Sequence, residues 1–276
     1  MNIINFHKMH GCGNDFVIID NRKYKLNFSK EKLKFLADRN KAIGCDQIII
    51  IEDFPQYDCF MRIYNNDGNE AGNCGNAARC VVSLLAQDSF ESNLEKEIIF
   101  KIKTINSSLQ AIYYDNKIIS IDMGKPKFDW VDIPLTLACD TSNIVIESEL
   151  PPGFVLNIGN PHIVYFVEDI DSINITHLGK KIENHNLFKE KINVNFVQII
   201  SNSEIILKTW ERGAGLTLAC GTGACAATVA AVITKNLQRK LRVNLRGGVL
   251  NIEFHKNNHI FMQGEAIYVF KGEILI

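Results

Sequence analysis

The feature that most constrains this chain is a correspondence between its two halves at a spacing of 146 residues. Gly13-Asn14, opening a β-branched run, falls on Gly159-Asn160, which opens another. Gln47, entering Ile48 to Ile51, falls on Asn193, entering Val194 to Ile200. The helical pattern at Lys30 to Arg39 lands on Thr176 to His185, Cys74-Gly75 lands on Cys220-Gly221, and Asn65 lands on Glu211. Identity is low: three of twenty positions agree between Met61–Cys80 and Leu207–Ala226. Polar and cysteine landmarks recurring at one spacing still point to two copies of one module, which limits the fold to two similar halves. The junction is expected near residues 120 to 150, where Met123-Gly-Lys-Pro126 and Pro151-Pro-Gly153 punctuate the chain.

Each half reads as strand-rich. β-branched content predicts strands at Asp15–Asp20, Asp46–Ile51, Glu97–Lys103, Lys117–Ile121, His162–Val167, Asn195–Ile200, Glu204–Thr209 and Val249–Phe254. Helices are expected at Lys30–Arg39, Gly75–Gln87, Thr176–His185 and the alanine-rich Gly221–Lys235. The 276 residues suffice for two modest domains of α/β (α+β) class, each with its own core.

Thirty basic residues against 31 acidic ones argue against a dedicated nucleic-acid binder, which needs a basic surplus, so a small-molecule partner is the better expectation. No apolar run approaches the roughly 20 residues of a membrane-spanning helix, and no membrane partner is expected. The opening MNIINFHKMH has no apolar h-region, which points to the cytoplasm and makes disulfides the weaker reading of the eight cysteines. There is no C-x-x-C; Cys74 and Cys80 are six apart, Cys220 and Cys225 five, so no metal is expected.

Two of the cysteines stand apart. The loops Gly72-Asn-Cys-Gly-Asn-Ala-Ala-Arg79 and Ala219-Cys-Gly-Thr-Gly-Ala-Cys225 each deliver a cysteine just before a helix. Orphan backbone N–H groups and the helix dipole favour a thiolate there, and the following glycines let a carboxylate approach the same N–H groups. If the two halves face one another, Cys74 and Cys220 meet across an interdomain cleft. A thiolate on one face of a carbon acid and a thiol on the other would remove a proton and return one from the opposite side, inverting the stereocentre. Cys12, Cys45, Cys59, Cys80, Cys139 and Cys225 read as small buried hydrophobes, and Arg79 as a structural residue.

The motifs His10-Gly-Cys-Gly-Asn-Asp-Phe16, Asn65-Asn-Asp-Gly-Asn-Glu70, Asn73-Cys-Gly-Asn-Ala-Ala-Arg79, Gly159-Asn-Pro-His162, Trp210-Glu-Arg-Gly-Ala-Gly215 and Ala219-Cys-Gly-Thr-Gly-Ala224 together resemble those of the diaminopimelate epimerases, over nearly the full chain. The resemblance implies two pseudo-symmetric domains, each a mostly antiparallel sheet or barrel wrapped around a central helix: residues 1–120, to which 266–276 return, and 121–265. It implies an enzyme that interconverts LL- and meso-2,6-diaminopimelate without a cofactor, in lysine and peptidoglycan precursor synthesis, and a homodimer. The family's catalytic cysteines map onto Cys74 and Cys220. Its substrate-binding positions map onto Asn14, Gln47, Asn65, Gly75, Asn76, Asn160, Asn193, Glu211, Arg212, Gly221 and Thr222, and its modulators of cysteine ionisation onto His162 and Glu211. Ala77, Leu216 and Cys12 stand where the family usually has Gly, Glu and Leu.

The residue types fit such a substrate. Its two amino-acid ends are zwitterions that need acceptors for ammonium and donors for carboxylate, and Asn and Gln supply both. Arg212 offers a forked donor to a carboxylate, and Glu211 an acceptor to an ammonium. A related two-cysteine proline or hydroxyproline racemase is the alternative, though a smaller substrate would not need the polar set twice. A disulfide redox protein and a non-catalytic binder of the same ligand are the readings from other classes.

Overall fold

The computed structural model describes residues 3–72, 74–90, 97–114 and 117–275; Asn73 of the first cysteine motif lies outside them. In chain order the elements are β1 (Ile3–Gly11), β2 (Asn14–Asp20), α1 (Lys30–Ala37), β3 (Gln47–Glu52), β4 (Cys59–Asn65), β5 (Glu70–Ala71), α2 (Gly75–Phe90), β6 (Glu97–Lys103), β7 (Ser108–Tyr114), β8 (Ile119–Asp122), β9 (Phe154–Asn157), β10 (Pro161–Phe166), α3 (Ile175–Glu183), β11 (Asn193–Ser201), β12 (Glu204–Glu211), β13 (Gly215–Leu216), α4 (Gly221–Lys235), β14 (Lys240–Leu245), β15 (Gly248–Phe254), β16 (Ile260–Gly264) and β17 (Ile267–Leu275). They form two compact units, Met1–Asp122 with Gln263–Ile276, and Met123–Met262.

In the first unit β17 pairs antiparallel with β1, β1 with β2, β3 with β4, β6 with β7 and β7 with β8, while β2–β3 and β4–β6 run parallel. In the second, β9–β10, β11–β12 and β14–β15 are antiparallel, and β10–β11 and β12–β14 parallel. The registers repeat at the same spacing: Phe16 faces Gln47 and His162 faces Asn193; Ile48 faces Tyr64 and Val194 faces Trp210; Tyr64 faces Glu70 and Trp210 faces Leu216. A one-residue slip in register would turn every side chain to the opposite face, so this agreement fixes which residues share a face in each unit.

Each unit encloses one helix. α2 packs against β1, β2, β6, β7 and β8, and α4 against β9, β10, β11, β12, β14 and β15. Every residue of α4 from Gly223 to Ala231 is buried, as expected of a helix covered on all sides. Its alanines let the surrounding strands approach closely. α1 and α3 instead bury one face: Leu33, Leu36 and Ala37 in α1, Ile175, Leu178 and Ile182 in α3. Ser29 caps α1 by accepting from Lys32 N–H, and Asn174 caps α3 by accepting from His177 N–H. The second unit's core includes Tyr165 stacked on Phe196 at 5.8 Å between centroids. No helix among the described residues is long and apolar enough to cross a membrane.

Candidate active site

The first group of site residues lies where β2, β3, β4 and the start of α2 meet. Cys12 and Gly13 both take positive φ, 52° and 80°, in the tight hairpin turn that delivers Asn14 to the head of β2. Gln47 heads β3 opposite Asn65, the last residue of β4, and its Nε2 donates to Asn65 Oδ1 at 2.9 Å. Gln47 Oε1 is buried with no partner among the described residues. Cys74 precedes α2; Ala77 N–H donates to its sulfur at 3.5 Å, and its thiol donates to Asn14 Oδ1 at 3.7 Å. Asn76 Nδ2 donates to the same oxygen at 3.4 Å, and Asn76 Oδ1 is held at 2.8 Å by Nη2 of the fully buried Arg79. Asn14, Cys74 and Asn76 are thus one cluster, with Gln47 and Asn65 a second pair and Gly75 the first helical residue.

Charged residues hold the far side of Asn14. Asp46 Oδ2 accepts from Asn14 Nδ2 at 3.0 Å and from Asp15 N–H at 3.2 Å. Asp15 takes Lys8 at 2.6 Å and the two terminal nitrogens of Arg39, Nη2 at 2.6 and Nη1 at 3.0 Å, while Arg39 Nη2 also reaches Asp46 at 2.8 Å. Burial alone would raise the Asp15 carboxyl, but the bonds from Arg39 and Lys8 outweigh it and hold it down at about 2.

The second group lies on β10, β11, β12 and the start of α4. Cys220 is the N-cap of α4: Gly223 N–H donates to its sulfur at 3.4 Å, and Thr222 Oγ1 lies 3.5 Å away. Helix-start N–H groups were expected to favour the thiolate here, and the structure corrects this for Cys220. Burial first, and the Glu211 carboxylate beside it second, push the thiol well above its ordinary pKa, against the smaller downward pull of Thr222 and Gly223. Glu211 accepts from the Thr217 hydroxyl. Arg212 Nη1 donates to the Glu190 carbonyl at 2.9 Å.

Asn193 and His162 are buried beneath these groups. Asn193 Nδ2 donates to the Pro161 carbonyl at 2.8 Å and its Oδ1 accepts from Arg212 N–H at 3.0 Å, so this side chain is engaged by backbone. His162 Nε2 lies 2.9 Å from Asn160 Oδ1 and Nδ1 lies 3.1 Å from Asn195 Nδ2. Burial, aided by the Arg212 charge, lowers its pKa to about 3, so the ring is neutral at any working pH.

Glu211, Cys220 and Thr222 therefore form one cluster, Asn160 and His162 another, with Asn193 supporting Arg212 and Gly221 beginning the helix. Sequence reading missed Asp46, Asp15, Arg39, Asn195 and Thr209. A polar Asn195 inside the otherwise apolar strand segment Val194–Val197 is the signal that would have found one of them. Thr209 Oγ1 donates to Asn195 Oδ1 at 3.0 Å, and Gly223 abuts both: a Cβ there would sit 2.6 Å from that oxygen and 2.9 Å from Thr209 Oγ1. All eight cysteines are free thiols, and among the described residues no group of three or more His, Cys, Asp or Glu is placed to hold a metal ion.

A family model described as diaminopimelate epimerase matches residues 6–128 and 154–269. The chain is 43% identical over 270 residues to a diaminopimelate epimerase of Zymomonas mobilis, covering 97% of this chain and 96% of that one. It is 44% identical over 264 residues to one from a Wolbachia of Drosophila simulans, covering 95% and 96%. Among solved structures, a phenazine biosynthesis protein of the PhzF family from Enterococcus faecalis shares the fold at TM-score 0.71 and 13% identity over the whole of both chains. A probable proline racemase from Agrobacterium radiobacter does so at TM-score 0.70 and 12% identity, over 99% of this chain and 93% of that one.

Proposed function

The chain belongs to the diaminopimelate epimerase family, and on that premise we propose how its residues divide the reaction. The enzyme epimerises diaminopimelate, an isomerase activity on a small amino-acid substrate. In our reading it interconverts the LL and meso forms by two-base proton transfer, with Cys74 and Cys220 as the two acid–base groups. The observation that carries this mechanism is the placement of these two sulfurs at the starts of the two enclosed helices, in units whose strand registers coincide.

An α-proton is weakly acidic, so the negative charge that develops on its loss needs fixed donors. Helix-start N–H groups of Gly75 and Asn76, and of Gly221 and Thr222, are free of intrahelical partners and suit the reacting carboxylate. Each sulfur acts as base in one direction and acid in the other. The buried Cys220 thiolate would be strongly basic once formed, because burial and Glu211 both disfavour it. Glu211 so modulates Cys220 directly, whereas the neutral His162 ring bonds Asn160 and Asn195 rather than a cysteine. Gln47, Asn65, Asn76, Asn160 and Arg212 supply the donors and acceptors for the ammonium and carboxylate groups, the spare Gln47 Oε1 among them, with Asn193 holding Arg212 in place and Asn14 lining the site beside the Cys74 thiol.

The finer placement follows the same family reading: a cytoplasmic homodimer in lysine and peptidoglycan precursor synthesis. The apolar side chains of Ile267, Tyr268, Val269 and Phe270, all exposed on β17, support an interface with a second copy. The deciding experiment incubates reduced, metal-free protein with LL-diaminopimelate in deuterium oxide. Deuterium should enter one α-carbon as the meso form accumulates, and Cys74→Ala and Cys220→Ala should each stop turnover. A requirement for pyridoxal phosphate, or turnover in either variant, overturns the two-thiol mechanism.

A further inference from the structure

Asn14 and Asn160 are equivalent by the 146-residue spacing, yet the structure surrounds their amides with opposite partners. The polarity of each amide follows from groups that can only accept or only donate. In the second unit the limiting group is the Ile163 carbonyl, which only accepts. Asn195 donates to it at 3.0 Å, so the Asn195 atom 3.1 Å from His162 Nδ1 is the same NH2 group, and Nδ1 must be the bare nitrogen. The Thr209 hydroxyl, which can donate or accept, then donates to Asn195 Oδ1 at the other end of that amide. The neutral ring then carries its proton on Nε2, which donates to Asn160 Oδ1 at 2.9 Å. Asn160 Nδ2 has no protein partner among the described residues.

In the first unit the limiting groups are a carboxylate and a guanidinium. Asp46 only accepts, so Asn14 turns Nδ2 toward it, at 3.0 Å. Arg79 only donates, so Asn76 turns Oδ1 to it and offers Nδ2 to Asn14, whose facing atom must be Oδ1. Both ends of Asn14 give the same answer. Its Oδ1 is thereby held toward the Cys74 thiol, at 3.7 Å.

We propose that Asp46 and His162 are positioning residues that lock two equivalent asparagines in opposite polarity, Asn14 as an acceptor to the Cys74 thiol and Asn160 as an N–H donor to a substrate carboxylate. The inference rests on the site reading above. The two locks act on different steps: Asp46, through Asn14, acts on the sulfur that moves a proton, and His162, through Asn160, acts on binding.

The test compares kinetic splits in full-length protein. Asp46→Ala should lower kcat about tenfold with KM within about twofold, the loss of one hydrogen bond at a reacting group, and Asp46→Asn, which keeps an oxygen acceptor, should recover most of it. His162→Leu should raise KM for diaminopimelate about tenfold, and His162→Gln, whose amide N–H replaces Nε2–H, should bring it back to within about threefold. The pH profile of kcat should keep its shape in both His162 variants. Equal effects on kcat and KM in Asp46→Ala and His162→Leu, or no rescue by the conservative variants, overturn the inference; a wild-type enzyme that fails to turn over diaminopimelate overturns the site reading instead. Nitrogen-15 NMR of wild-type His162 is independent of variant folding. It should show a bare Nδ1 and a protonated Nε2 throughout pH 6 to 9, and the opposite tautomer, or titration within that range, refutes the His162 lock.

Discussion

The buried neutral His162 makes a quantitative claim about acid stability. Its ring is inaccessible to solvent, both nitrogens are engaged by Asn160 and Asn195, and its pKa is lowered from 6.5 to about 3. Protonating Nδ1 would set a donor against the Asn195 NH2. Because the folded pKa lies below the unfolded one, the unfolded chain binds the extra proton between pH 6.5 and 3. Stability is therefore complete above pH 6.5 and falls as the pH descends through that window. At pH 5, one and a half units below the unfolded value, the loss at 1.36 kcal/mol per unit is about 2 kcal/mol.

The window is separable from that of the carboxylates. Asp15, held at about 2, keeps its contribution above its unfolded value of 3.8 and loses it only as the pH falls from there toward 2. Urea unfolding of wild type and His162→Gln at pH 7.5 and pH 5 isolates the histidine, since the variant has nothing to protonate at that place. Wild type should lose about 2 kcal/mol more than the variant between the two conditions. Equal losses would mean that the ring finds a partner for its second proton, so that Asn195 does not hold Nδ1 bare.

Other outcomes follow from the same geometry. Gly179→Ala would place a Cβ 2.5 Å from Trp210 Cγ, under an indole whose N–H bonds Glu183, and should cost about 2 kcal/mol in urea unfolding. Gly223→Ala would drive into Asn195 and Thr209 and displace the N–H that donates to Cys220, so kcat should fall with the melting temperature, both measurable on one preparation. Iodoacetamide at pH 8 should leave Cys59 and Cys80 unmodified in the native protein, because burial pushes both thiols up to about 12, while all eight cysteines react in urea; mass spectrometry reads the sites. Val269→Lys with Phe270→Lys should yield a monomer in sedimentation, if β17 forms the dimer contact.

What could be read from the sequence was governed by local pattern. α2 and α4 begin at the residues their Cys-Gly junctions indicate, because a polar loop there gives way to alanine-containing apolar runs of high helix propensity. β1 was missed: its residues Ile3–Gly11 mix histidine and lysine with apolar positions, and Lys8 is buried only because Asp15, on the neighbouring strand, neutralises it. β4 was missed for the same reason, since Arg62 interrupts the run and finds Glu52 and Glu70 across the sheet. β17 carries its apolar residues on the surface, where alternation has no inside to report. α1 ends at Ala37 rather than Arg39 because the chain turns extended at Asp38, freeing Arg39 to reach Asp15 and Asp46. The spacing placed the candidate cysteines and amides but was blind to what lies behind them, because Asp46, Asn195 and Thr209 matter through contacts made only on folding. The same limit explains Cys220. Its place at a helix start is local and argues for a thiolate, whereas its burial beside Glu211 is tertiary and wins.

A duplicated module supplies two equivalent sulfurs cheaply, but strict equivalence would serve this substrate badly. The groups on an α-carbon are unlike one another: a carboxylate needs donors, an ammonium needs acceptors, and two copies with identical side chains would offer only one set. On the proposed two-thiol mechanism the two copies keep the backbone registers that place the cysteines and diverge in what surrounds them. The structure follows this division. Registers around Gln47 and Asn193 repeat residue for residue, while Asn65 has become Glu211 in the second copy, and the shared Asn14 and Asn160 have neighbours that dictate opposite amide polarity. Changing an amide's partner requires no change in the amide itself, so the two copies differ in function at a position where their sequences agree.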